Sequence, residues 1–155
     1  MTLLPRSLFD TDSLPGSERY DAWRDSISVV FDYQLRDTVP VDHFHAAIDN
    51  TLFDPFVLTS FQAEAAIYER DAARIACDGL DMIMLQFATQ GPCHIRGTAD
   101  AYDCQVGDVI IMDTAQPIST WHDKQHNLTL SFPRQVLENL VPGLERAHLA
   151  VLKAN

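Results

Sequence analysis

The sequence predicts a mainly β domain, a sandwich or barrel of short antiparallel strands, and three observations favour this class. Between Met82 and Pro133, short apolar or alternating runs are separated by Gly, Pro and Asp roughly every eight to twelve residues, as in all-β folds. The pair Gly107-Asp108 is typical of a turn. It leads into Val109–Met112, a run apolar enough for a fully buried strand.

Length and composition indicate one folded domain. The chain has 155 residues, of which 46% are hydrophobic and 21% are charged, as in ordinary globular proteins. We expect residues 1–12 to form an N-terminal arm and residues 13–155 to form the domain. The N-terminus lacks the apolar core of a signal peptide and no run approaches a membrane span, which predicts a cytoplasmic protein without membrane contact.

The charge balance argues against direct nucleic-acid binding by these residues. The formal net charge is -11, so no surplus of Lys and Arg is present to displace counterions from a phosphate backbone.

The three cysteines predict neither a disulfide framework nor a zinc site. Cys77, Cys93 and Cys104 make an odd number without a CxxC pair. Cys93 and Cys104 could face each other across a hairpin that turns near residues 97–99, most simply as two small apolar strand residues.

An amphipathic helix is predicted over residues 13–31. Ser13 can cap its start and Pro15 is tolerated in a first turn. Apolar residues then recur at helical spacing, with Trp23 as the expected anchor against the sheet; they are Tyr20, Trp23, Ile27, Val30 and Phe31. Residues 32–42 read as a polar connection.

The barrel itself is predicted over residues 43–132. Its first strand contains His43 and His45 on one face. Such a pair could present two imidazoles to a metal, but no further ligand follows at the spacing of metal cupins, so we expect exposed or interfacial histidines and no metal. In the strand from Leu80 to Thr89, Gln86 is polar among apolar neighbours. A buried Gln needs partners, so its amide is either bonded within the protein or offered to a ligand.

The last two strands of the barrel contain further candidates. The strand Ile118–His122 ends with Trp121 beside His122. In the strand that follows, Leu128, Leu130 and Phe132 alternate, and we expect them to point inward.

Short helices are predicted over residues 134–152. Pro133-Arg134 opens the first, and Pro142-Gly143 separates it from the second. The sequence ends where a helical subdomain would be expected to continue.

Five motifs in this order resemble a known family. They are Arg19 to Arg24 (Arg-x3-Trp-Arg), the Asp-Gly-x-Asp turn at Asp78, the Val-Gly-Asp-Val-Ile segment at Val106, Asp113-x3-Pro117, and Leu-Ser-Phe-Pro-Arg from Leu130 to Arg134. Together they resemble the N-terminal regulatory domain of AraC-type (XylS-like) bacterial transcription regulators, over about residues 14–144.

The resemblance implies a cupin-like double-stranded β-helix, a jelly-roll barrel, followed by helices used in dimerisation. It implies a small-molecule effector or a partner sensed by the barrel, a possible homodimer, and neither catalytic residues nor a cofactor. DNA would be bound only by a C-terminal helix-turn-helix domain, which this sequence does not contain.

Barrel mouths hold ligands through an apolar wall and a few polar groups. The candidate ligand-binding residues are Phe61, Tyr68, Gln86, His94, Trp121 and His122. For each of them core or hairpin packing is the competing interpretation. We expect Trp121 and His122 to be the leading pair, because cupins commonly project a functional side chain inward at this place.

Two alternatives remain open. A metal-dependent cupin enzyme would need about three His and one carboxylate to converge, and His94, His122 and His126 are the available nitrogen ligands. A stand-alone domain acting by protein contact is the other alternative.

Overall fold

The computed structural model describes residues 4–96 and 102–154. The three α-helices there are Gly16–Ile27 (α1), Ala72–Asp78 (α2) and Arg134–Glu138 (α3). Three short 3-10 turns occupy Thr11–Ser13, Val41–His43 and Leu144–Ala147. The strands are Arg6–Asp10 (β1), Asp32–Leu35 (β2), Ala46–Phe53 (β3), Phe56–Ala63 (β4), Ala66–Arg70 (β5), Met82–Gln90 (β6), Cys93–Ile95 (β7), Tyr102–Cys104 (β8), Val109–Asp113 (β9), Ile118–His122 (β10), Gln125–Pro133 (β11) and Val151–Leu152 (β12).

The strands form two antiparallel sheets. Seven strands are ordered β1-β3-β4-β11-β6-β9-β12, and five are ordered β2-β5-β10-β7-β8. Core residues from both sheets pack in common clusters, as in a sandwich whose inner faces meet. The predicted cupin-like, mainly β fold is confirmed.

Helix α1 is anchored to the sheets by Trp23, as its sequence pattern predicts. The indole is fully buried. Its ring centroid lies 5.2 Å from that of Phe61 and 6.2 Å from that of Phe9, with which it is stacked. Such aromatic contacts add about 0.5–1.5 kcal/mol each beyond the burial of apolar area.

The helix is shorter than the predicted 13–31 range. It ends at Ile27, and two arginines bond the carbonyls beyond its end. Arg74 donates to the Ser28 carbonyl, and Arg70 donates to the Val30 carbonyl at 3.0 Å. These bonds satisfy acceptors that another helical turn would otherwise have used.

Two segments predicted without regular structure are strands. Within the predicted arm 1–12, β1 pairs with β3 from Arg6 to Asp10, and Phe9 packs on Trp23. Within the predicted connection 32–42, β2 pairs with β5 and buries Tyr33. Both are edge strands of four or five residues, too short to show a clear alternation in the sequence.

The prediction of helix to residue 152 is wrong in its second half. Only the turn Leu144–Ala147 is helical, and β12 pairs with β9 instead. The imidazole of His148 attaches the segment before β12 to the end of β9 and the loop after it. Its Nδ1 accepts from the Asp113 amide at 3.0 Å, and its Nε2 donates to the Pro117 carbonyl at 2.9 Å.

Cys93 and Cys104 are direct partners in the β7–β8 ladder, and both are buried free thiols. The hairpin turn predicted at residues 97–99 lies outside the described residues. No helix within residues 4–96 and 102–154 is both long and apolar enough to span a bilayer.

Candidate functional site

A pocket lies between the C-terminal end of α1 and the inner faces of the two sheets. Its volume is about 290 Å³, near the lower end of the range of about 300–1,000 Å³ for small-molecule sites. It is lined by Ser26, Ile27, Val30, Phe31, Ile48, Asn50, Thr59, Phe61, Tyr68, Met84, Gln86, Met112, Thr120, His122, Gln125, Asn127, Thr129 and Ser131.

Strand β11 turns its polar residues toward this pocket. Gln125, Asn127, Thr129 and Ser131 all line it. Because alternate residues of a strand point to opposite faces, the leucines between them lie on the outer face, and Leu128 is 37% exposed. The prediction that Leu128, Leu130 and Phe132 point inward is therefore wrong.

The polar residues form a directed chain of hydrogen bonds along the pocket wall. The Thr129 hydroxyl donates to Asn127 Oδ1 at 3.2 Å, and Asn127 Nδ2 donates to Gln125 Oε1 at 3.0 Å. Gln125 Nε2 then donates to the Tyr68 hydroxyl at 2.9 Å. Each amide is held in one orientation by its neighbours, which gives the wall a fixed pattern of donors and acceptors.

Two further amides in the pocket retain unused hydrogen-bonding capacity. Asn50 Oδ1 accepts from the Thr59 hydroxyl at 2.7 Å, which leaves its two N–H donors without a partner among the described residues. The side-chain amide of Gln86 lines the pocket and makes no hydrogen bond to any described residue. Of the two interpretations of Gln86, a bond within the protein is therefore not observed among the described residues.

His122 is a neutral imidazole in the pocket wall. It is 5% exposed, its Nε2 lies 3.3 Å from the Thr120 hydroxyl, and the edge of its ring meets Tyr68 at a centroid distance of 5.2 Å. Burial, with a smaller effect of nearby His94, lowers the pKa of His122 to about 3. Its function at neutral pH is therefore hydrogen bonding and packing.

The side of the pocket next to α1 is apolar and firmly held. Ile27, Val30 and Phe31 line it. Arg70, which is 1% exposed, bonds the Val30 carbonyl, the Thr114 carbonyl at 2.7 Å and the Asp78 carboxylate. The segment after α1 is thus tied to β5 and α2 behind it.

The structure brings together four of the six predicted ligand-binding residues. Phe61, Tyr68, Gln86 and His122 line the pocket, whereas His94 and Trp121 do not. Trp121 faces outward because it is adjacent to the inward-facing His122 on β10. The expectation that Trp121 points inward is therefore wrong.

Outside the barrel, Trp121 is part of a surface stack. Its ring lies parallel to that of His94, with centroids 3.5 Å apart, and the Arg36 guanidinium lies 4.7 Å from its centroid. Asp103 contacts His94 Nδ1 at 2.6 Å, and Asp123 accepts from Arg36 at 2.8 Å. These two polar contacts hold the stack in place.

The histidines considered as metal ligands do not converge. His122 faces the pocket, His94 lies in the outer stack, and His126 bonds Ser60 at 3.1 Å on the outer face of the seven-stranded sheet. Among the described residues, a different group brings ligand atoms within 4.8 Å of one another, namely His45, Asp10 and Asp12.

The two carboxylates of that group are already engaged within the protein. Asp10 accepts from the Asp12 backbone amide at 2.8 Å, and Asp12 pairs with Arg19 at 2.8 Å. His43, the other member of the predicted pair, is exposed in the turn before β3.

Comparison with known proteins shows a likeness of fold. No protein-family model and no curated protein sequence matches the chain. Among solved structures, the AraC-like transcriptional activator CuxR matches with a TM-score of 0.89 and 20% identity, over 97% of this chain and 55% of that one. The chain therefore spans about half the length of that activator.

Two other structures are much more distant. The EutQ protein of Clostridium difficile has a TM-score of 0.44 and 7% identity, over 59% of this chain and 71% of its own. A Bacillus subtilis oxalate decarboxylase mutant has a TM-score of 0.37 and 11% identity, over 67% of this chain and 35% of its own. Neither likeness is close enough to bear on function.

The chain has the cupin-like fold found in an AraC-like transcriptional activator, and the predicted resemblance to AraC-type regulators is confirmed as a likeness of fold.

Proposed function

We propose that this chain is the sensory domain of an AraC-type transcription regulator and binds a small-molecule effector in the pocket beneath α1. DNA would be bound by a helix-turn-helix domain outside these residues, and the domain itself is not an enzyme. The fold shared with an AraC-like activator supports the regulatory assignment.

One observation carries the proposal of effector binding. The pocket contains a side-chain amide, that of Gln86, with no partner among the described residues, beside an ordered row of amides and hydroxyls. Polar groups inside a protein are normally paired, so this wall is suited to a ligand that completes its hydrogen bonds. The metal-enzyme alternative has no comparable support, since His94, His122 and His126 lie on different faces.

The test is a screen of small metabolites by thermal shift, followed by hydrogen-exchange mapping of each compound that stabilises the protein. We expect slower exchange in β11 and at the end of α1 when a stabilising compound is bound. Protection confined to the outer surface around Trp121 and His94 would contradict the assignment of the site.

A homodimer is also part of the proposal, and the outer face of the seven-stranded sheet supports it. There, five apolar side chains lie side by side on three neighbouring strands, and Phe87 is 41% exposed. This outer patch consists of Leu58, Leu85, Phe87, Leu128 and Leu130. No charged residue belongs to it, and on the adjacent strands Arg6 is paired with Asp49. Two copies of this acidic chain can therefore meet there without opposing unpaired charges.

The size of this face indicates a weak, reversible dimer. Three strands about 4.8 Å apart and five residues along each cover on the order of 250 Å², whereas a standard stable interface buries about 800 Å² per partner. We therefore expect a dimer that dissociates on dilution.

A further inference from the structure

We infer that the pocket selects an uncharged ligand, a small alcohol, polyol or carboxamide with one apolar side. This inference rests on the proposed function, because it specifies what the same pocket binds. It follows from the lining of the pocket, from the charges around residues 28–31 after α1, which we call the roof of the pocket, and from the polar atoms inside that have no hydrogen-bond partner.

No described residue with a formal charge faces the pocket. Asp, Glu, Lys and Arg are all missing from the described residues that line it. The remaining titratable groups stay neutral near neutral pH: burial lowers the pKa of His122 to about 3 and raises the pKa of Tyr68 well above its ordinary value. A charged ligand would leave water for a wall that offers no counterion.

The charges nearest the roof are already paired. Arg70 donates to the Val30 carbonyl and binds Asp78, at 2.8 Å through its Nη2. Arg74 donates to the Ser28 carbonyl and pairs with Asp32. The guanidiniums therefore compensate the negative end of α1, and each has its own carboxylate. Neither an anion nor a cation finds an unpaired partner there.

The polar atoms left without a partner in the pocket include both hydrogen-bond donors and hydrogen-bond acceptors. Asn50 retains two N–H donors, because its oxygen accepts from Thr59, and Gln86 offers both a donor group and an acceptor. Thr129, at the start of the hydrogen-bonded chain, retains acceptor lone pairs. Hydroxyl and carboxamide groups have donors and acceptors that match such a set.

The side of the pocket next to α1 requires an apolar side of the ligand. Ile27 at the end of α1, and Val30 and Phe31 just after it, line the pocket and do not belong to the sheet that carries the polar row of β11. A volume of about 290 Å³ admits a compact molecule. The ligand is therefore small and amphipathic, with hydrogen-bonding groups along one edge.

The experiment uses a matched set of probes that differ in charge: benzamide, benzoate and benzylammonium, together with a neutral pentose and its pentonate. Binding is measured by calorimetry at neutral pH with the whole chain. We expect binding of neutral probes, and at least about tenfold weaker binding of each charged counterpart because no counterion compensates its desolvation.

Two variants place one added carboxylate on opposite faces of the same sheet. Gln86→Glu puts the charge into the pocket. It should weaken the binding of the neutral probes and strengthen the binding of benzylammonium. Gln62→Glu adds the same charge on the exposed outer face of β4 and should leave the order of probe affinities as in the wild type. If Gln86→Glu does not fold, Gln86→Leu, which adds no charge, should still reduce binding of the neutral probes.

The outcomes separate this inference from the proposed function. Charged probes that bind the wild type as tightly as their neutral counterparts, with protection in β11, would overturn the inference and leave the effector site in place. If no probe of any charge binds at millimolar concentration, the proposed function fails and the inference fails with it.

Discussion

The indole ring of Trp121 lies flat against the imidazole of His94, with the ring planes 11° apart, on the outer face of the five-stranded sheet. On the adjacent residue of the same strand, His122 faces the pocket. A single step along β10 therefore separates a surface contact from the candidate ligand site.

Replacement of Trp121 should spare ligand binding. Trp121→Ala removes the stack on His94, the contact with Arg36 and part of the buried apolar area, and we expect a loss of at least about 1 kcal/mol in the free energy of unfolding. Effector-dependent thermal shifts should remain, because the side chain does not line the pocket. Loss of those shifts in a folded Trp121→Ala protein would show that the ligand binds on the outer face.

The stability of the protein should depend on pH through His122. Its pKa is about 3 in the folded protein and 6.5 as the ordinary value, so the unfolded chain binds a proton between these pH values that the folded protein does not. The burial of neutral His122 therefore costs no stability above pH 6.5. As the pH drops from 6.5 toward 3, it lowers the free energy of unfolding by up to about 1.4 kcal/mol per pH unit.

Urea unfolding at a series of pH values measures this dependence. His122→Gln should flatten the curve between pH 6.5 and about 4. Asp78 and Asp108, whose pKa values are lowered to about 2 by their cationic partners and backbone amides, lose their contribution only as the pH falls below their ordinary range. An unchanged slope in His122→Gln would contradict a buried neutral imidazole.

Arg70 should matter more for stability than a surface arginine does. Arg70→Met leaves the Val30 and Thr114 carbonyls without their side-chain donor and removes the cationic partner of Asp78, and we expect a loss of at least about 2 kcal/mol in the free energy of unfolding. Arg24→Met is the matched control, since Arg24 is half exposed and its contacts are surface ones, with the carboxylates of Asp21 and Asp25 and the ring of Tyr20. It should cost less than about 1 kcal/mol. Equal losses in the two variants would show that Arg70 does not hold the roof.

The outer patch should mediate dimerisation. Leu128→Lys places a charge in the centre of this uncharged face and should yield a monomer in sedimentation velocity. Leu140→Lys, at a side chain that is 74% exposed and lies outside the patch, should leave the wild-type equilibrium intact. Salt should strengthen the wild-type dimer, because each copy has a net charge of -11 and screening reduces their repulsion.

A wild-type protein that stays monomeric at all concentrations would contradict this interface. A dimer that persists in Leu128→Lys would place the contact elsewhere on the molecule.

The sequence predicts the fold well because periodicity and turns are local signals. Trp23 was identifiable as an anchor from helical spacing alone, and it is fully buried. The short strand β12 could not be recognised in this way. Val151–Leu152 is a strand only because the open edge of β9 provides a partner.

The candidate site was harder to predict because alternation gives two faces without saying which is inside. The assumption that apolar residues face inward selects Leu128, and the place where cupins project a functional side chain selects Trp121; both face outward. The signal that would have found Asn127 and Thr129 is present in β11, where polar residues recur at every second position from Gln125 to Ser131. Asn50 and Thr59 pair across β3 and β4, a contact that only the register of the sheet reveals.

The pocket beneath α1 is tested most directly by calorimetric titration of two variants at neighbouring positions of β11 with a stabilising uncharged compound. Ser131→Phe places a ring in the pocket, whereas Leu130→Phe places the same ring on the outer face. The account predicts wild-type affinity in Leu130→Phe and loss of binding in a folded Ser131→Phe protein. Equal affinity in the two variants would contradict it.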